Sequence, residues 1–213
     1  MTAFAQTLTG RDELRALYRE PSALVKRKKI DHIDASVRAF VEAAPFCLLA
    51  TANAAGRCDV SPRGGPAGFV RVLDEHRLAL PDLSGNNLLD SLENILANPH
   101  VGLLFVLPGR DETLRLEGEA ALTTDPEVLA SWDGELRRPK LAIGVEVGEA
   151  FVHCAKSFRR AGVWDVETWA GYAGAPDACQ LLVEGMALEI SAAQLRVDLE
   201  KGYSHDLEAE QLR

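Results

Sequence analysis

Between Phe46 and Leu122 apolar positions mostly alternate with polar or small ones, while the flanking stretches repeat at helical spacing. FCLLATA, the turn NAAGR and then CDVSP predict a hairpin; GFVRVLD, EH and RLALPD predict a second. VGLLFVL is an apolar run of strand length, and TLRLEGEAAL places Leu114, Leu116, Gly118, Ala120 and Leu122 on one face. KLAIGVEVGEAFVHCA supplies one or two closing strands. About six strands interrupted by one helix predict a closed barrel, in a mainly β chain with flanking helices (α+β).

Helical spacing predicts the flanks. TGRDELRALYRE reads as a helix capped by Thr9, with Leu14, Leu17 and Tyr18 on its apolar face and Pro21 as its stop. A second helix starts near Asp34, with Val37, Phe40 and Val41 on one side and Pro45 ending it. The helix between the strands is predicted over 86–97, from Leu88, Leu89, Leu92, Ile95 and Leu96. DPEVLASW opens a short helix with Asp125 as cap and Pro126 at the first helical position. After Ser157 periodicity fades, leaving weak helical stretches around Leu181 to Leu188 and Ala192 to Leu199. The expected organisation is a helical extension over 1–45, a barrel over 46–156 and a C-terminal segment with a helical tail over 157–213.

Composition narrows the function classes. With 23 Lys and Arg against 32 Asp and Glu the formal charge is -9, which argues against a nucleic-acid partner. The basic run Lys26, Arg27, Lys28 and Lys29 is expected to be a solvated linker. No basic start followed by a long apolar run, and no run of membrane-spanning length, is present, so a cytoplasmic protein without a membrane partner is expected. Cys47, Cys58, Cys154 and Cys179 lack metal-ligand spacing, and His153 and Cys154, adjacent on a strand, point to opposite faces; no metal site is expected.

Two stretches could carry chemistry. SPRGGPAG, 61–68, breaks the sheet ladder after the second strand and puts Arg63 in the opening; turn chemistry alone also explains its glycines. DLSGNN leads from a strand into a helix, where Ser84, Asn86 and Asn87 are either redundant caps or a cradle for an anion at the positive end of the helix dipole. No Lys or Arg lies within 84–99, so positive charge for a phosphate has to come from Arg63, Lys156, Arg159 or Arg160.

The succession from FCLLATANAAGRCDVSPRGG through LSGNNLLDSLENILANPHVGLLF to LRLEGEA resembles the FMN-binding split β-barrel of the pyridoxamine 5'-phosphate oxidase-like superfamily, and AFVHCAKSFRRAGVWD is similar to the C-terminal flavin-proximal segment of one FMN-binding branch. The resemblance implies FMN as cofactor and a homodimer with flavin sites at its interface. It places Ser61, Pro62, Arg63 and Gly64 beside the flavin, Asp82 and Leu83 at a strand end, and Ser84, Asn86 and Asn87 on the ribityl chain or phosphate. Lys156, Arg159 and Trp164 would complete the site, in cis or in trans. Where family oxidases carry a basic pair after the Ser, this chain has Gly85 and Asn86, so the vitamin phosphate is not implied as substrate. The function implied is an FMN-dependent oxidoreductase acting on a small molecule; the alternative is a non-catalytic flavin or haem carrier of the same fold.

Overall fold

The computed structural model describes residues 4–210. The first three positions of the N-terminal segment and the last three of the C-terminal one lie outside the described residues. Among the described residues seven antiparallel strands form one sheet: β1 (Phe46–Ala52), β2 (Cys58–Gly64), β3 (Arg71–Val72), β4 (Arg77–Pro81), β5 (His100–Val106), β6 (Thr113–Thr123) and β7 (Ala142–His153), in the order β2-β1-β5-β6-β7-β4-β3. Alternation dictates the packing: Cys47, Leu49, Leu103, Phe105, Leu114, Leu116, Ile143 and Val145 point to one face and form a single buried cluster. The sheet bends at a bulge between Glu117 and Gly118. A Cβ on Gly118 would meet the Glu146 carbonyl oxygen at 2.0 Å, so this crossing of β6 and β7 requires glycine.

The predicted closure does not occur. Among the described residues β2 and the two-residue β3 are the sheet's edges, and no ladder joins them. The strand β2 runs on through the SPRG stretch, pairing Ser61 with Leu49, Pro62 with Leu48 and Arg63 with Cys47, so this stretch does not break the ladder as expected. An edge accommodates Pro62, which has no N–H for a further strand. The chain then turns at Gly65, where a Cβ would meet the Phe69 Cβ at 2.7 Å. Phe69 is fixed in turn by its carbonyl, which accepts the indole N–H of the fully buried Trp132 at 2.8 Å.

The helix between the strands differs most from expectation. It is α4, Asp90–Ala97, and it begins four residues later than predicted. The Asn86 carboxamide accepts the Leu88 N–H at 3.0 Å, offering the backbone a turn instead of a helix. Asn87 and Leu89 then adopt left-handed conformations, φ 58° and 62°. Leu92 and Ile95 are buried, whereas Leu88, Leu89 and Leu96, expected on the same apolar face, are exposed.

At the N-terminus, α1 (Arg11–Ala16) is preceded by Gly10 as its cap residue; Thr9 does not cap it, and its backbone N–H instead donates to the Glu13 carboxylate. Neither α1 nor α2 (Ala23–Arg27) buries a residue. The basic run is more than a solvated linker: Lys28 donates to the Val152 carbonyl, Lys29 pairs with Glu149 at 2.8 Å, and both ammonium groups lie over the Phe151 ring. This docks the segment onto β7. Helix α3 (Ala35–Ala43) starts beside Asp34 as predicted, with the Asp34 carboxylate as its cap, and its Val37 and Val41 enter the barrel's core.

Between β6 and β7, α5 (Pro126–Ala130) is capped by Asp125; beyond β7 follow α6 (Lys156–Ala161), a 3-10 segment Val166–Tyr172, α7 (Ala178–Gly185) and α8 (Ala192–Glu210). The helix α8 buries none of its residues and is fastened at both ends, through Arg196 to Asp177 and through the Glu210 carbonyl, which accepts the Arg137 N–H. No described helix is long and apolar enough to cross a membrane.

Burial separates the four thiols. Cys47 and Cys179 are buried, and desolvation pushes Cys47 up to about 12; Cys58 and Cys154 are exposed. A thiol reagent is expected to modify Cys58 and Cys154 rapidly in the native protein and the other two only on unfolding. Rapid native modification of Cys47, read by peptide mass, would contradict the packing of β1.

Candidate functional site

The open side of the barrel holds a cleft of about 420 Å³. One wall is β2, whose Asp59, Ser61 and Arg63 recur at every second position and share its inward face. The opposite wall is the end of β4 and the loop into α4: Pro81, Asp82, Leu83, Ser84, Asn86 and Asn87. Phe69 and Leu92 add apolar surface.

A chain of hydrogen bonds runs along the β2 wall. The buried Ser91 hydroxyl, on α4, donates to the Asp59 carboxylate at 2.6 Å and lies 3.0 Å from the Ser61 hydroxyl. Ser61 in turn accepts from the Arg63 Nε at 3.3 Å. The guanidinium faces Asp82 across the cleft, Nη1 to Oδ1 3.9 Å, with both side chains about one-fifth exposed. Burial raises the Asp82 carboxyl above its ordinary range, against the opposing pull of Arg63 and Lys140. At the loop entrance the Ser84 N–H donates to the carboxylate of Glu210, the last described residue of α8.

Nine of the twelve residues expected at the site line this cleft: Ser61, Pro62, Arg63, Gly64, Asp82, Leu83, Ser84, Asn86 and Asn87. Lys156, Arg159 and Trp164 do not. The Arg159 guanidinium pairs with Asp111 at 2.8 Å and the Trp164 indole donates to the Arg110 carbonyl at 2.7 Å, docking this segment on the loop between β5 and β6. Lys156 opens α6 beside them. Among the wall residues that escaped sequence reasoning are Asp59 and Ser91. The first had a signal, the i, i+2, i+4 spacing of Asp59, Ser61 and Arg63 on one strand. The second is a buried serine whose partners lie 30 and 32 positions away, which no local pattern reveals.

The anion cradle at a helix start is not built as predicted. Asn86 and Asn87 precede α4 by a left-handed turn, and the N-cap of α4, Leu89, makes no side-chain cap bond. Left-handed geometry at a bulky residue costs roughly 1–2 kcal/mol, so the loop holds a strained shape against the cleft.

A family model described as pyridoxamine 5'-phosphate oxidase matches residues 33–154, more than half of the chain. Among solved structures, HupZ of Group A Streptococcus is 18% identical and covers 56% of this chain and 93% of its own, with a TM-score of 0.46. An FMN-binding protein from Syntrophomonas wolfei is 9% identical over 55% of this chain and 83% of its own, TM-score 0.43. HutZ, the heme storage protein from Vibrio cholerae, is 16% identical over 57% and 93%, TM-score 0.39. No curated protein matches.

The Asp82 shift sets a pH dependence. A carboxyl whose folded value lies above its unfolded 3.8 contributes stability that is complete below 3.8 and is lost as pH rises through the folded value. Asp82→Asn, uncharged throughout, is expected to melt higher than the parent at pH 7, the gap closing as pH falls towards 3.8. Thermal melts across this range check it; a variant melting lower at pH 7 would show that attraction to Arg63 outweighs burial.

Proposed function

The chain belongs to the pyridoxamine 5'-phosphate oxidase family, and from that premise we propose that it binds a flavin in the cleft between β2 and the β4–α4 loop and passes electrons to or from a small molecule. FMN is the flavin that the family resemblance implies. The observation that carries the reading is the cleft's two-sided character: Phe69, Pro81, Leu83 and Leu92 offer flat apolar contact, while Ser61, Arg63, Asn86 and Asn87 offer hydrogen bonds. A ring system bearing carbonyls and a hydroxylated chain suits that combination. The bound flavin would supply the electron transfer itself.

What the chain's own residues contribute is binding and charge. Arg63 can donate to a ring carbonyl and favour negative charge there through Coulomb attraction. Ser61, Ser91 and Asp59 hold the guanidinium on the β2 wall. These residues fit a flavin's ring and polyol. They do not fit a phosphate, since Arg63 is the single Lys or Arg among the described residues of the cleft wall.

A homodimer is part of this proposal. The outer face of β2, β1 and β5 presents Val60, Pro62, Phe46, Leu48, Leu104 and Val106, each exposed or half-buried and joined by register into one apolar surface. A second copy set on that face would exclude water from it.

A haem carrier is the second reading, and the cleft speaks against it. Haem iron takes an axial His, Cys, Met or Tyr, and the described residues lining the cleft include none of these.

The purified protein is expected to be yellow, with flavin absorbance that bleaches under a reduced nicotinamide cofactor, and to scatter light as a dimer. Arg63→Ala should weaken flavin binding by about tenfold to a hundredfold, the value of a charged hydrogen bond of about 1.5–3 kcal/mol. A colourless protein that cannot be loaded with any flavin, or a haem spectrum, would overturn the flavin reading; wild-type affinity in Arg63→Ala would remove Arg63 from the site.

A further inference from the structure

Three carboxylates and one guanidinium line the cleft, and a fourth carboxylate stands at its loop entrance. Asp59, Asp82 and Asp90 line it against Arg63, and the Glu210 carboxylate already takes the Ser84 N–H at the loop entrance. Arg63 is engaged on both sides, by Ser61 and by Asp82. Lys140 is the other cation near enough to favour the charged form of Asp82, and it is not among the lining residues. Arg159, which could have brought positive charge, is paired with Asp111 instead.

The backbone does not compensate. A phosphate is usually received by free N–H groups at a helix start together with a guanidinium or ammonium. Here the first turn of α4 carries its own acids, Asp90 and Glu93, which answer the positive end of the helix dipole. The Leu88 N–H is spent on Asn86, and the exposed Leu88 and Leu89 occupy the approach to the helix. Coulomb repulsion between a dianion and these carboxylates opposes its entry, and salt weakens that repulsion because Asp90 is exposed and the others only partly buried.

We propose that this cleft rejects a dianionic phosphate and takes the uncharged flavin, an isoalloxazine ring with a free ribityl chain, in preference to FMN. The proposal rests on the flavin reading above and assigns specificity to Asp59, Asp82, Asp90 and Glu210. The polyol's hydroxyls can donate to these carboxylates, whereas a phosphate, having no protons to give them as a dianion, cannot.

Titration of the purified full-length protein with riboflavin and with FMN, followed by quenching of flavin fluorescence, tests it. Riboflavin is expected to bind at least about tenfold more tightly. Raising the salt concentration should strengthen FMN binding while leaving riboflavin unmoved, since salt screens repulsion. Glu210→Gln and Asp90→Asn should each improve FMN affinity several-fold without improving that of riboflavin. Equal affinities, or tighter FMN binding, would overturn the specificity and leave the flavin site standing. Binding of neither flavin by a folded protein, checked by circular dichroism, would remove the flavin reading and the specificity with it.

Discussion

The site depends on one unmade set of hydrogen bonds, those that would join β2 to β3 and close the barrel. Because β2 is an edge, the inward side chains Ser61 and Arg63 face a cleft instead of a packed core, although their cross-strand neighbours Cys47 and Leu49 are fully buried. The gap between the strands is bridged by side chains. Ser91 reaches from α4 to Ser61 and Asp59, and Arg63 reaches towards Asp82. Polar groups that would be costly in a closed barrel are thereby satisfied at its rim.

The same opening explains the strained loop. The chain must leave β4 at Pro81, cover the cleft and then start a helix whose Leu92 and Ile95 pack on the barrel. Left-handed Asn87 and Leu89 perform the turn, and the Asn86 side chain stabilises it. Non-glycine residues in such conformations gather at ligand sites, where the surrounding structure holds them in place. The cost of about 1–2 kcal/mol at Leu89 is small beside the burial of the helix behind it.

The barrel was largely legible from its alternation. Residues such as Leu103 and Phe105, or Leu114 and Leu116, announce strands because every second side chain is buried. Asp34 and Asp125 announced their helices for an equally local reason, a carboxylate accepting the first free N–H groups. What local pattern could not show was competition and distance. Asn86 reads as a cap until its side chain is seen bonding the next turn, and Leu88 and Leu89 fit a helical face that the backbone never forms. Both stretches of the cleft wall stand out by residue type, SPRGGPAG for its glycines and Arg63 and DLSGNN for its polar entrance to a helix, although 61–68 reads as an opening in the sheet and is instead an edge strand. The placement of Arg159 on Asp111 and of Trp164 on Arg110 depends on contacts about fifty positions apart, beyond any spacing rule.

The central claim is that the split in the barrel is a flavin site, and the most direct measurement is the crystal structure of the protein grown with riboflavin. The isoalloxazine ring is expected between β2 and the β4–α4 loop, with the Arg63 guanidinium within hydrogen-bond distance of a ring carbonyl and the ribityl chain running towards Asn86 and Asn87. Density for the flavin at any other place, with the cleft between Ser61 and Asp82 empty, would contradict it.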